Sequence, residues 1–318
     1  MTLLRMGTAI VGRYVLLHPI GRGGVSVVYQ AVDALSPRPI AVKVLAPALA
    51  DARARESVRR EALITDRLRH PSVPRIYDHG DAPLPGGGVA PYVVMELLAG
   101  VSLADRLEGG ALPWPEAVHI AATVADVLAV AHRRGFVHRD ITASNIMLTD
   151  NGVKIIDFGL AATVERPRPR PDRPRLTRTT LPRRPLVPAH RVTSAAQPAD
   201  DVYALGVLLY EMVTGRSPYP GGMPNFRGMA PTPVLAVAGL PRQLADLCRA
   251  CMAKQAAQRP SSSEVALALW GALVGQGSST STSDTARTAV TVAYPSTSSA
   301  ASVPGSRRTS VSSRVVRT

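Results

Sequence analysis

From residue 14 the chain alternates short, β-branched apolar segments with turns, at 14–20, 25–32 and 40–45. That pattern predicts three consecutive strands. Gly21, Gly23 and Gly24 fall in the first connection, so the opening reads as an antiparallel meander with a glycine-rich hairpin. Residues 54–68 carry charge at most positions, with Val58, Ala62, Leu63 and Leu68 as a partial apolar stripe, which predicts one amphipathic helix. Two more strands are expected at 75–78 and 92–97, with a Pro/Gly-rich hairpin loop at 81–91 between them.

After Gly100 the period changes. Val118, Ala122, Ala125, Leu128 and Ala131 share one face of a helix expected over 115–134, which Gly135 stops. Residues 201–213 are apolar nearly all round. This predicts a deeply buried helix with Asp200 or Asp201 as its N-cap and Gly215 just past its end. Helices at 241–254 and 263–273 complete a mainly helical second half. Residues 275–318 are rich in Ser and Thr with scattered Arg and few large apolar residues, too little to offset the entropy of ordering, so a disordered tail is expected there.

Composition changes this picture only in part. The chain has 318 residues and is 46% hydrophobic, enough for a large core in two lobes at roughly 100–200 residues per domain. The longest uninterrupted apolar stretch, 265–274, falls well short of the roughly 20 residues a membrane helix needs. Arg5 and Gly7 interrupt residues 1–11, so neither a membrane anchor nor a signal peptide is expected and the protein is placed in the cytoplasm. Cys248 and Cys251 form a lone C-x-x-C without a second ligand pair. Two half-buried helix positions are expected there rather than zinc. The formal net charge of +14 invites a nucleic-acid partner. However, nine arginines lie between Arg166 and Arg191, interleaved with prolines, and aromatics are only 4%, so the charge belongs to segments outside a folded face and that partner is disfavoured.

Three short stretches carry chemistry. Gly21-Arg22-Gly23-Gly24-Val25-Ser26-Val27-Val28 sits between two predicted strands. Backbone N–H groups there could close over phosphate oxygens with no Cβ in the way, although a plain turn has the same composition. Fifteen residues after Val28 comes Lys43, one of only three lysines (with Lys154 and Lys254) among 37 basic residues. A compact ammonium suits the α- and β-phosphates where a planar guanidinium has the wrong length. Glu61 on the following helix is its natural carboxylate partner, or else an exposed helix glutamate. Finally, His138-Arg139-Asp140-Ile141-Thr142-Ala143-Ser144-Asn145 is followed twelve residues later by Asp157-Phe158-Gly159.

In this order and spacing the chain resembles the protein kinase superfamily, and most of all the bacterial, eukaryotic-like Ser/Thr protein kinases. The resemblance implies an α+β, two-lobe fold: a small antiparallel sheet with one helix, then a larger helical lobe. It divides the chain into a lead over 1–13, a kinase domain over 14–272 and the tail over 275–318. Within the domain the lobes are 14–97 and 101–272, with an Arg/Pro-rich activation segment over 157–190. The implied activity is transfer of the γ-phosphoryl of Mg-ATP to Ser/Thr hydroxyls of proteins, itself included in trans, with a role in signalling. Asp140 would orient the substrate hydroxyl, Asn145 and Asp157 would hold Mg²⁺, and Lys43 paired with Glu61 would fix the phosphates. Gly21 and Gly23 would cover the phosphates. The adenine would lie among Ile20, Val28, Ala41 and Met147 with Met95 behind, its edge on backbone groups of Glu96 and Leu98. Asp201 would accept backbone N–H groups from the His138–Arg139 turn.

Some positions depart from the family. Thr142 replaces a lysine that meets the γ-phosphate, Ala143 replaces a proline, and His190 replaces a glutamate that would pair with Arg259. The substrate-docking stretch is replaced by residues 181–186. These departures motivate an alternative, a catalytically impaired pseudokinase acting as an ATP-binding scaffold. Thr177, Thr179 and Thr180 are candidate phosphosites that Arg139 could pair with.

Overall fold

The computed structural model describes residues 4–22, 26–45, 52–83, 88–158, 162–163, 197–219 and 233–277. Gly23, Gly159, Thr177, Thr179, Thr180, His190 and nearly all of the tail lie outside the described residues.

The first half is one sheet. Strands β1 (Ala9–Ile10), β2 (Tyr14–Arg22), β3 (Ser26–Asp33), β4 (Pro39–Leu45), β5 (Ile76–Pro83) and β6 (Val89–Glu96) pair antiparallel in the order β1-β2-β3-β4-β6-β5. Val27, Tyr29 and Ala31 of β3, Ile40, Val42 and Val44 of β4, and Tyr92 and Val94 of β6 bury into one cluster with Tyr14 and Leu16. Because strand side chains alternate, the intervening Val28, Ala41, Lys43 and Met95 occupy the opposite face. The register sets Val28 across from Lys43 and Ala41 across from Met95.

Helix α1 (Ala52–Leu68) lies between β4 and β5 in sequence and sends Ile64 and Leu68 into a second, larger core. Arg69, just past its end, has φ 42°, a left-handed conformation that costs a non-glycine residue roughly 1–2 kcal/mol.

That second core belongs to the helical half. It contains β7 (Gly100–Ser102), α2 (Leu103–Glu108), α3 (Trp114–Arg133), β8 (Phe136–Val137), β9 (Ile146–Thr149), β10 (Gly152–Ile155), β11 (Ala162–Thr163), α4 (Pro198–Thr214), α5 (Arg242–Cys251) and α6 (Ser262–Gly277). Two small sheets, β10-β9-β7 and β11-β8, sit beside the helices. At Gly100 a Cβ would fall 2.1 Å from the Leu148 carbonyl oxygen, so only glycine allows β7 to approach β9 this closely. A sheet lobe with one helix followed by a mainly helical lobe is the two-lobe α+β architecture expected.

Several details differ from the sequence reading. The hairpin loop expected at 81–91 is shorter, because β5 and β6 continue to pair at Ala82 with Ala90 and at Pro83 with Val89. Burial of both alanines in the sheet's core outweighs the local Pro/Gly signal. Helix α4 starts earlier than expected. Gln197 is its N-cap, in a capping box with Asp200, and Pro198 occupies the first turn where its missing N–H costs nothing. Asp201 is therefore inside the helix, and not its cap. Cys248 and Cys251 are fully buried, not half-buried. Helix α3 is long and apolar enough to cross a membrane by length and hydropathy alone, a property the apolar-run argument missed because polar residues interrupt it; 61% of it is buried inside the fold. The short elements β7, α2, β8 and β11 had no sequence signal strong enough to predict.

Candidate active site

Lys43 projects from the face of β4 opposite the Tyr14/Tyr29/Tyr92 core, toward α1. Its Nζ lies 2.7 Å from Oε1 of Glu61 and 3.2 Å from Oδ1 of Asp157. Burial works against the ammonium, but the two carboxylates outweigh it and hold the Lys43 pKa above its ordinary value. Lys43 is thus a fixed cation held between the helix and the 156–158 turn.

The second cluster is built by the 138–145 loop. Asn145 Nδ2 donates to the Asp140 carbonyl at 2.9 Å and to Asp140 Oδ2 at 3.0 Å. Both amide hydrogens are then used on Asp140, which leaves Asn145 Oδ1 as an acceptor for a cation. The Ile156 N–H donates to the Asn145 carbonyl at 2.9 Å and ties this loop to the strand leading into Asp157. Arg139 (φ 70°) and Asp157 (φ 64°) are both left-handed, so two of the few strained non-glycine residues fall on the same pair of turns.

Asp201 holds the loop from below. Its carboxylate accepts the N–H groups of His138 and Arg139 at 2.7 Å each. The predicted contact is present, and two partners were missed. His132 Nε2 lies 2.8 Å from Asp201 Oδ2, while His132 Nδ1 lies 2.9 Å from Ser262 Oγ. One buried carboxylate thereby joins α3, α4, α6 and the 138–145 loop. A histidine at the end of α3 gave no sequence signal, because the contact spans 69 residues. His138 packs its ring 4.4 Å from Phe158; burial lowers its pKa, and its buried Nε2 has no hydrogen-bond partner among the described residues.

Among the predicted nucleotide residues, Gly21 pairs with Val28 across β2 and β3, Ile20 is 46% exposed at the end of β2, and Met147 lies on β9. Leu98 follows β6 in the connection to β7. The Glu96 N–H donates to the Arg75 carbonyl at 2.9 Å, so of Glu96's backbone groups its carbonyl is the one left for a ligand edge. Its carboxylate forms an ion pair with Lys154 at 2.8 Å, a second contact that sequence reasoning missed although Lys154 is one of the three lysines. Thr142 is exposed between Asp140 and Asn145. Arg259 donates to the Ala253 and Ala199 carbonyls at 2.8 and 2.7 Å and lies over the Tyr203 ring. It is held by backbone, an aromatic face and the Asp200 carboxylate at 3.8 Å.

The family model for the protein kinase domain matches residues 14–270. The chain belongs to the protein kinase family. This kinase chain is 37% identical over 223 residues to serine/threonine-protein kinase PknA of Mycobacterium tuberculosis, an alignment covering 68% of the chain and 50% of that protein. It is also 34% identical over 268 residues to a probable serine/threonine-protein kinase PknB of Bifidobacterium longum, covering 80% of the chain and 39% of that protein. The chain therefore spans about half or less of the length of the curated relatives it matches. Among solved structures, the PknI kinase domain of Mycobacterium tuberculosis superposes with a TM-score of 0.63 at 25% identity, covering 85% of this chain and 99% of that one. Members of the kinase family generally use ATP and Mg²⁺.

Proposed function

We propose that this kinase chain transfers the γ-phosphoryl of Mg-ATP to Ser and Thr hydroxyls of proteins, including its own in trans. The observation that carries this reading is the joint placement of two clusters. Lys43 is paired at once with Glu61 and Asp157, and Asp140 is bound to Asn145 through both side chain and carbonyl. The Ser/Thr kinases among its relatives support the substrate class.

Bound Mg-ATP supplies the phosphoryl group and the divalent charge. Asp157 and Asn145 Oδ1 would be the hard oxygen donors for Mg²⁺, which typically takes one or two protein ligands and completes its shell with phosphates and water. Lys43, held by Glu61, would orient the α- and β-phosphates, and Gly21 and Gly23 belong to the glycine-rich stretch that the resemblance assigns to them. Val28, Ala41, Met95, Ile20 and Met147 would line the adenine, with backbone groups of Glu96 and Leu98 on its edge. Asp140, fixed by Asn145, orients the attacking hydroxyl and accepts its proton. Catalysis is then mainly positioning and charge stabilisation. The catalytic domain is assigned to 14–272 and works on the cytoplasmic side, where Mg-ATP is supplied. Thr177, Thr179 and Thr180 are proposed as phosphosites that regulate it.

Intact mass of the purified chain after incubation with Mg-ATP tests the reading, beside Lys43→Met and Asp140→Asn. Added phosphate in the parent and in neither variant is expected. No added mass on the parent or on a generic protein substrate, with nucleotide binding intact, would overturn it in favour of a scaffold.

A further inference from the structure

A cavity of about 470 Å³ opens behind the segment joining the two lobes, between the end of α1, the 69–75 turn and the Glu96–Lys154 pair. Of the residues assigned above to the nucleotide, only Glu96 lines it. Its polar wall consists of Arg69, His70, Arg75 and Lys154 against Asp66 and Glu96.

The charges in this wall do not cancel. Lys154 is buried and its ammonium reaches both oxygens of Glu96, at 2.8 and 3.1 Å, so these two neutralise each other. Arg69 and Arg75 have no carboxylate within ion-pair distance among the described residues, and Asp66 alone opposes them. Burial pushes the His70 pKa below its ordinary value. Its Nδ1 accepts the Ser72 N–H at 3.0 Å, which places its proton on Nε2 as a further donor.

The backbone that carries the two exposed arginines has a defined geometry, and the Arg75 guanidinium lies 5.9 Å from the Tyr77 ring. The Arg75 backbone is fastened on both sides by Glu96, whose N–H donates to the Arg75 carbonyl at 2.9 Å and whose Oε2 accepts the Arg75 N–H at 3.1 Å. Arg69 occupies the left-handed position that closes α1, where glycine or asparagine is the favoured residue. Arg69 thus puts a guanidinium-bearing residue on the wall of a cavity with excess positive charge, at a backbone position that favours glycine.

We propose that this cavity binds a small phosphorylated compound, gripped by Arg69 and Arg75. Guanidinium groups present a planar fork that matches phosphate oxygens in a bidentate manner. The volume falls within the roughly 300–1,000 Å³ of small-molecule sites.

Inorganic pyrophosphate, titrated into the full chain by calorimetry in Mg²⁺-free buffer without nucleotide, is the probe. Saturable binding is expected in the parent, weakened by about tenfold or more in Arg69→Gly and again in Arg75→Gln, as for loss of one charge-assisted contact. Glycine relieves the left-handed strain, so the thermal midpoint of Arg69→Gly should be no lower than the parent's, and the loss of binding is then not a folding defect. Unchanged affinity in both variants would place the anion elsewhere, and no saturable heat in the parent would remove the site; either result overturns the proposal. The readout is binding without ATP, so it stands or falls separately from phosphotransfer.

Discussion

The carboxylate of Asp201, on α4, accepts the backbone N–H of His138 at 2.7 Å and so fixes the loop that carries Asp140. The same carboxylate takes the Arg139 N–H and lies against His132. Replacing Asp201 with Asn keeps the shape but turns one acceptor into a donor facing an N–H. Asp201→Asn should therefore destabilise the chain by about 2–4 kcal/mol, since charge-assisted bonds contribute about 1.5–3 kcal/mol each. Urea denaturation checks this.

Lys43 neutralises carboxylates that burial would otherwise penalise. Lys43→Met should cost about 2–3 kcal/mol of stability, somewhat less than the roughly 3–5 kcal/mol for breaking a fully buried pair, because both partners keep about a tenth of their side-chain exposure. Adding Glu61→Leu should recover more than half of that loss. Equal stability of the single and double variants would show that the pair is held for function alone.

Thr142 places an exposed neutral side chain between Asp140 and Asn145, where related kinases have lysine. A cation aimed at the transferring phosphoryl group is worth roughly 2–4 kcal/mol of transition-state stabilisation. Thr142→Lys should therefore raise kcat on a generic protein substrate by about tenfold or more. An unchanged kcat would mean that another group already supplies that charge.

Gly206 lets α4 approach α5. A Cβ there would lie 2.7 Å from Cys251 Cβ and 2.9 Å from Met252 Cγ, so Gly206→Ala should destabilise by about 1–3 kcal/mol despite its better helix propensity. The adjoining thiols of Cys248 and Cys251 are both pushed up by burial, to about 12. Neither should react with a thiol reagent in the native chain near neutral pH, and both should react once urea unfolds it.

Arg13 holds Asp33 through two bonds, at 2.8 and 2.7 Å, and this pairing keeps the Asp33 pKa down at about 2, below its ordinary 3.8. The sign follows from linkage. A carboxyl with a depressed folded pKa contributes stability that is present above the unfolded value and lost as pH falls through the folded one. Stability should thus decline from about pH 4 toward pH 2, and Asp33→Asn should remove part of that slope.

Much of the site was legible in the chain because its parts are local. Residues 138–145 form one loop whose members hydrogen-bond to each other, and the strands that carry Val28, Ala41 and Lys43 were expected from their β-branched runs. The same locality made the strands of the meander and the helices α1, α3 and α4 visible from their periods. Local pattern misled where burial overruled it: β5 and β6 extend through a Pro/Gly-rich stretch because Ala82 and Ala90 are buried, and Gln197 took the cap that Asp200 or Asp201 was expected to supply.

The sequence by itself determined which residues could bind phosphate, metal and hydroxyl, since their chemical types and short-range spacing are properties of the chain. Tertiary structure alone decided that His132 joins the contact Asp201 makes with His138 and Arg139, and that Lys154 neutralises Glu96. It also decided that Arg69 and Arg75 face one cavity. These contacts join residues far apart in the chain, and no periodicity encodes them. They exist only because the two cores fix where α1, α3, α4 and β10 come to rest.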